Sequence, residues 1–277
     1  MKKFRFANGE LCLEGKGLIM GILNVTPDSF SDGGEFFRPE DAVCHAKKMI
    51  SDGADIIDIG AMSTRPGSEP VTYEEEIRRL APVLTGLRSF CDAVISVDTV
   101  NPQTADFALS HGADIVNDVS GHFNEEMAAV VKKHNAGWIM THTGAVESGC
   151  VIDYPDGVVS AIREFFDSFI CNCEQFGINK DYLCLDPGFG FAKTTEDNIE
   201  MLRNLDKLIR PDIAFLTALS RKRFIGAITD DPDAGNRLAG TLTADIIALM
   251  KGTDFVRVHD VLGTRQSFAL YNSIYNI

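Results

Sequence analysis

The chain has 277 residues, 45% of them hydrophobic, enough to bury one large core, and its start, MKKFRFANGELCLEG, carries no apolar segment of the kind that opens a secreted chain. Forty acidic against twenty-six basic residues leave a formal net charge of −14, which argues against nucleic acid as a bulk partner because phosphate backbones demand basic surface. No stretch approaches the ~18 unbroken apolar residues of a membrane span, so the expectation is a cytoplasmic protein without a membrane partner.

Along the chain, the first strand candidate is Leu18–Val25, which runs into the polar loop TPDSFSDGG. A helical period follows, with Ala42, Val43, Ala46, Met49 and Ile50 on one face, and ends at the phrase DGADIIDIG. That phrase recurs as HGADIVNDV from His111 and KGTDFVRVHDV from Lys251. In each, a glycine (Gly53, Gly112, Gly252) suits the left-handed position that ends a helix, and an aspartate (Asp55, Asp114, Asp254) opens a β-branched run. The repeating unit is therefore helix, then strand. It yields further strands at Asp55–Ala61, Ala93–Thr99, Asp114–Ser120, Gly137–His142, Tyr182–Pro187, Ile213–Leu219 and Asp254–Val261. Helices are expected between and after them, at Thr72–Phe90, Pro102–His111, Asn124–Asn135, Val158–Phe176, Thr194–Ile209, Arg237–Lys251 and Gly263–Ile277. The cysteines, Cys12, Cys44, Cys91, Cys150, Cys171, Cys173 and Cys184, are odd in number and lack C-x-x-C spacing, which suggests neither a disulfide frame nor a zinc site.

Eight alternating β/α units over residues 1–277 predict a single-domain α/β fold, a closed (β/α)8 TIM barrel; an open doubly wound sheet is the runner-up, disfavoured because no G-x-G-x-x-G follows the first strand. A barrel of this kind draws its chemistry from the carboxyl ends of its strands. At or near those ends stand Asn24, Asp58, Thr64 with Arg65, Asp98, Asn117, His142, Asp186, Lys222, and Arg257 with His259. Polar groups inside apolar runs are costly unless paired, so they are expected to converge on one mouth.

In order along the chain, GILNVTPDSFSDGG, STRPGSEPV, SVDT, NDVSG, LDPGFGF, SRK and RVHDV resemble dihydropteroate synthase, over nearly the whole length. The resemblance implies condensation of a dihydropterin-methyl pyrophosphate with p-aminobenzoate, releasing pyrophosphate, in folate synthesis. It implies a deep pterin pocket of Asp98, Asn117, Asp186 and Lys222, chemically apt because a pterin edge alternates donors and acceptors. Taken singly, Asp98 also reads as a helix cap and Asn117 as a turn residue. The pyrophosphate would meet Asn24, Thr64, Arg65, Arg257 and His259, with Asn24 the metal contact for Mg2+; His259 taken alone also reads as a core histidine. The catalytic set implied is Asp98, Asp186, Lys222, Arg257 and His259. The aminobenzoate would lie near Lys222, Phe30, Pro66 and Phe191, with Phe30 and Pro66 on loops that close as a lid.

Two departures from the family pattern stand out. Met62 lies where a glutamate is usual, and Arg223 follows SRK where a serine or threonine is usual. MTHTG also replaces a Met-His-Met pattern, which leaves His142 structural or peripheral. The resemblance implies a homodimer through outer helices and small-molecule substrates only. Two further readings stay open: a methyltetrahydrofolate-dependent methyltransferase of the related pterin-binding family, and a non-catalytic pterin-binding subunit.

Overall fold

A computed structural model describes residues 2–26, 38–62, 71–144 and 151–276. Two short strands, β1 (Lys2–Phe6) and β2 (Gly9–Leu13), pair antiparallel as a hairpin. Eight parallel strands follow: β3 (Leu18–Asn24), β4 (Ile56–Gly60), β5 (Val94–Asp98), β6 (Ile115–Asp118), β7 (Gly137–Thr141), β8 (Leu183–Asp186), β9 (Ala214–Thr217) and β10 (Phe255–Val258). They close into a barrel by pairing β10 with β3, so the open-sheet alternative falls. Around them lie α1 (Pro39–Asp52), α2 (Tyr73–Arg88), α3 (Pro102–Ser110), α4 (Glu125–His134), α5 (Val158–Phe176), α6 (Thr195–Arg203), α7 (Arg223–Thr229), α8 (Leu238–Met250) and α9 (Val261–Tyr275).

All eight expected strands are present. Three helices start where the sequence places a cap: the side chains of Thr72, Asn124 and Thr194 accept first-turn backbone N–H groups. The helix expected over Thr194–Ile209 is shorter, because Asn204 leaves helical geometry and its amide donates to Glu200 O (2.9 Å). The hairpin and α7 were not expected. α7 has seven residues, too few to show a helical period.

The repeated phrase has one structural meaning. Gly53, Gly112 and Gly252 take φ values of +103°, +102° and +100°. The aspartate two residues on then grips the neighbouring strand twice. Asp55 donates its N–H to Ile19 O and accepts Ile19 N–H on its carboxylate, both at 2.8 Å. Asp114 does the same to Ile95, and Asp254 to Phe215. Each is a register lock at the amino end of a strand, where a one-residue slip would turn every side chain to the wrong side. Burial holds all three carboxyls above the usual range, opposed first by these N–H groups for Asp55 and Asp114 and by Lys2 for Asp254.

Alternation along each strand divides the core. Side chains such as Leu23, Ile57, Val97, Val116, Trp138 and Phe215 pack outward against the helices. Met20, Ile56, Ile115, Ile139, Cys184, Leu216 and Phe255 fill the barrel, together with Phe4, Phe6 and Leu13 of the hairpin, which plugs the amino end. Phe4 meets Phe255 edge-on with ring centroids 5.7 Å apart. The lower barrel is thus apolar and solid, and polar residues are left to the carboxyl end.

Asp245 on α8 is 1% exposed, and neither carboxylate oxygen has a hydrogen-bond partner. Burial alone raises its pKa well above 3.8, so the folded protein holds a proton that the unfolded chain releases as pH rises past that value; stability falls with pH across this window. Asp245→Leu should therefore stabilise the protein by about 1–3 kcal/mol near pH 8 and by less near pH 5. Urea denaturation at both values checks this, and a gain independent of pH would contradict a buried neutral acid.

Candidate active site

At the carboxyl end of the barrel the register sets Asn24, Gly60, Asp98 and Asn117 abreast on four successive strands. Gly60 leaves the space between its neighbours open, since a Cβ there would lie 3.6 Å from Asp98 Cβ and 3.8 Å from Asn24 Oδ1. Two residues below Gly60, on the same face, is Asp58, which is wholly buried.

Arg257 reaches across from β10 and joins two of these carboxylates. Its Nε donates to Asp58 Oδ2 at 2.6 Å and its Nη2 to Asp98 Oδ2 at 2.7 Å. Asn117 Nδ2 donates to the same Asp58 oxygen at 3.1 Å. Asp58 Oδ1 and Asn117 Oδ1 are then left buried without a partner. Burial raises the Asp98 pKa above the carboxylate range, while Arg257 pulls it back down.

Opposite them stands Asp186, at the end of β8. Its Oδ1 accepts the Gly188 N–H at 2.8 Å, and Thr141 Oγ1 approaches Oδ2 at 3.5 Å. Burial raises its pKa against the pull of Gly188 N–H and Lys222. Lys222, the residue before α7, lays its ammonium over the Phe191 ring, 4.6 Å from the centroid. Burial brings this lysine down to about 8, with Asp186 opposing.

His259 is a neutral ring. Its Nδ1 lies 3.0 Å from Ser220 Oγ, and the same hydroxyl oxygen accepts the His259 backbone N–H at 3.2 Å. The Ser220 hydroxyl thus fixes the orientation of the ring and leaves Nε2 free of this contact. Burial, then the charges of Arg221 and Arg257, lower its pKa to about 4. Arg221 forms a two-pronged pair with Asp260 from a left-handed backbone, φ +58°.

The structure thus brings together Asp98, Asn117, Asp186, Lys222 and Arg257, with Phe191 beneath Lys222 and Asn24 and His259 half-buried at their strand ends. Phe30, Thr64, Arg65 and Pro66 lie outside the described residues. The bland readings of two residues fail. Asp98 does not cap α3, which begins after Asn101, and Asn117 holds no turn; its neighbour Asp118 does, accepting Ser120 N–H at 2.9 Å. His142 packs edge-on against Phe165 of α5 at 5.0 Å, with burial lowering it to about 3, so it belongs to the outer packing. Arg223 is exposed, as the first residue of α7. Sequence reasoning assigned no role to Asp58 or Ser220. The signal for Asp58 was an acid inside the apolar run IIDIG, which demands a buried partner.

Residues 20–259 match the family model described as pterin binding enzyme. The chain is 45% identical to the dihydropteroate synthase of Synechocystis sp. over 88% of its length and 85% of that protein, and 42% identical to that of Bacillus subtilis over 89% and 84%. Among solved structures, Xanthomonas albilineans dihydropteroate synthase with 4-aminobenzoic acid superposes with a TM-score of 0.92 at 36% identity, covering 100% of both chains. The same enzyme in complex with 7,8-dihydropteroate gives 0.89 at 35% identity, covering 99% of both.

Removing Arg257 should harm more than one end of this site, because Asp58 and Asp98 would be left as uncompensated buried charges. Arg257→Met is expected to cost about 3–5 kcal/mol near pH 7. Without the Arg257 charge to pull it down, Asp98 is raised further by burial in the folded variant, so the loss should shrink as pH falls and it protonates. Equal losses at about pH 5 and pH 7 in denaturant titrations would show that the pair does not carry this charge.

Proposed function

The chain belongs to the family of pterin-binding enzymes, and we infer from that membership that it works as a dihydropteroate synthase, condensing 6-hydroxymethyl-7,8-dihydropterin pyrophosphate with p-aminobenzoate to give 7,8-dihydropteroate and pyrophosphate in folate biosynthesis. The observation that carries this reading is the pair of buried oxygens without a partner among the described residues, Asp58 Oδ1 and Asn117 Oδ1, beside Asp98. Buried polar atoms are rarely left unpaired, and at the end of the barrel strands a pterin edge supplies the matching N–H groups.

In this reading Asp98, Asn117 and Asp186 bind the pterin edge and Lys222 donates to its ring acceptors. Departure of the diphosphate leaves positive charge on the pterin methylene, which the fixed carboxylates of Asp98 and Asp186 favour. Arg257 already bridges Asp58 and Asp98 and serves the diphosphate with its remaining N–H groups, while His259 would offer its ring Nε2 as a donor in the tautomer in which Ser220 donates to Nδ1. The arylamine attacks with its own lone pair, so no strong base and no covalent nucleophile is assigned. Its ring takes the Phe191 and Lys222 side of the site. Phe30 and Pro66 are proposed as its lid, and Thr64 and Arg65 as further diphosphate donors.

Mg2+ belongs to the same proposal. Among the described residues no group of three or more His, Cys, Asp or Glu could hold a metal ion. A single hard oxygen, Asn24 Oδ1, fits a Mg2+ that keeps waters and takes its other ligands from a diphosphate, whose charge it would neutralise. A homodimer is supported by exposed apolar side chains on two neighbouring helices: Ile247 and Met250 of α8, and Leu262, Leu270 and Ile274 of α9. A cytoplasmic location is compatible with there being no described helix long and apolar enough to cross a membrane.

The direct test is release of pyrophosphate from the dihydropterin diphosphate: it should depend on p-aminobenzoate, and release unaffected by the arylamine would defeat the reading. The pH profile gives a sharper check. Lys222 loses its proton as pH rises through about 8, so kcat/KM for the pterin substrate should fall on that limb, and Lys222→Arg should move the limb beyond reach. An alkaline limb that stays in place in this variant would mean that another group titrates.

A further inference from the structure

We propose that Lys193 is a positioning residue for the arylamine end of the site: its ammonium ties the turn after β8 to the end of β7 and so holds Phe191, the ring under the Lys222 ammonium, in place. The inference rests on the dihydropteroate synthase reading for the identity of the arylamine.

Lys193 is 7% exposed, and all three of its N–H groups are used. They go to the carbonyls of His142, Gly188 and Phe191, each at 3.0 Å. No described carboxylate forms an ion pair with it. An ammonium held only by neutral carbonyls is an expensive way to gain stability, which points to geometry as its purpose. Burial lowers it to about 7, Asp186 opposing and Lys222 adding to the shift, so its charge is felt in the site.

The turn it ties has bonds of its own, Phe191 N–H to Gly188 O at 3.2 Å and Gly190 N–H to Asn198 Oδ1 at 2.8 Å, but it is also crowded and strained. Gly188 lies so close to the exit of β7 that a Cβ would come within 2.0 Å of His142 O. Ala192 sits at φ +45°, a left-handed conformation that a residue with a side chain rarely adopts. On this turn rests the site lysine: a Cβ on Gly190 would be 3.0 Å from Lys222 Cδ, and the Lys222 ammonium covers the Phe191 ring. Phe189 stacks on Phe224 of α7, the helix that Lys222 precedes. Lys193 thus reaches the arylamine only through the turn, and Phe191 is the link.

Lys193→Met and Lys193→Gln test this, alone and combined with Phe191→Leu, with unchanged calorimetric affinity for a pterin lacking the diphosphate as the mark of an intact barrel. Loss of the charge-assisted bonds should raise KM for p-aminobenzoate about tenfold in Lys193→Met, and about threefold in Lys193→Gln, with kcat changed less than about threefold. Lys193→Arg, which keeps charge and donors, should restore most of the loss. Because the effect passes through Phe191, either Lys193 variant should add nothing to KM once Phe191→Leu is present. Independent, additive increases would overturn the proposal, as would loss of pterin affinity in proportion to KM, since both describe general damage to the fold. If Phe191→Leu alone leaves KM for p-aminobenzoate unchanged, the placement of the arylamine falls, and the role of Lys193 with it.

Discussion

The guanidinium of Arg257, wedged between Asp58 and Asp98, is the interaction on which the rest of the site depends. Three carboxylates (Asp58, Asp98 and Asp186) occupy the carboxyl end of a closed barrel, where burial raises Asp98 and Asp186 and the neighbouring charge of Asp58 raises Asp98 further. Arg257 shares its single charge between the first two by direct contact, and Lys222 lies close enough to Asp186 for the two to shift each other's ionisation. The result is a dry, nearly balanced set of charges in fixed positions, which is what a reaction that separates an anion from a developing cation requires.

That balance needs rigid support, and the lower barrel supplies it. Phe4, Phe6 and Leu13 of the hairpin close the amino end, and the apolar layer above them leaves no space for the polar groups to collapse into. Register is held by Asp55, Asp114 and Asp254, one lock for each repeat of the sequence phrase. Since side chains alternate along a strand, these locks at one end decide whether Asp58 and Asp98 point into the barrel at the other. On the outside, Glu76 of α2 accepts from Asn101 and Thr104, at 2.6 and 2.7 Å, tying that helix to the segment leaving β5 just beyond Asp98.

The two sides of the mouth are built differently. On the side proposed for the pterin the polar groups stand on strands and inherit their precision from the ladder. On the side proposed for the arylamine Phe191 and Lys222 come from turns, so their placement relies on side chains that bind backbone: Asn198 accepting the Gly190 N–H at 2.8 Å, Thr241 accepting the Arg221 N–H at 3.0 Å, and Lys193 donating to the His142 carbonyl at 3.0 Å.

The sequence alone determined the helix–strand unit, the eight strands and the polar residues that end them, because period-two alternation and a glycine–aspartate boundary are local signals carried by residue type. The motif order led from there to the family, and so to Asp98, Asn117, Asp186 and Lys222. What only the tertiary structure decided is which groups meet. Arg257 finds Asp58 and Asp98 across 199 and 159 residues, and no local pattern encodes a pairing over that distance. His142 and Thr141 exchange their apparent importance once the pleat turns one outward to Phe165 and the other inward to Asp186. Lys193 was invisible for a different reason: its partners are backbone carbonyls, which every residue carries alike, so only a fold that brings three of them to one point could show what this lysine holds.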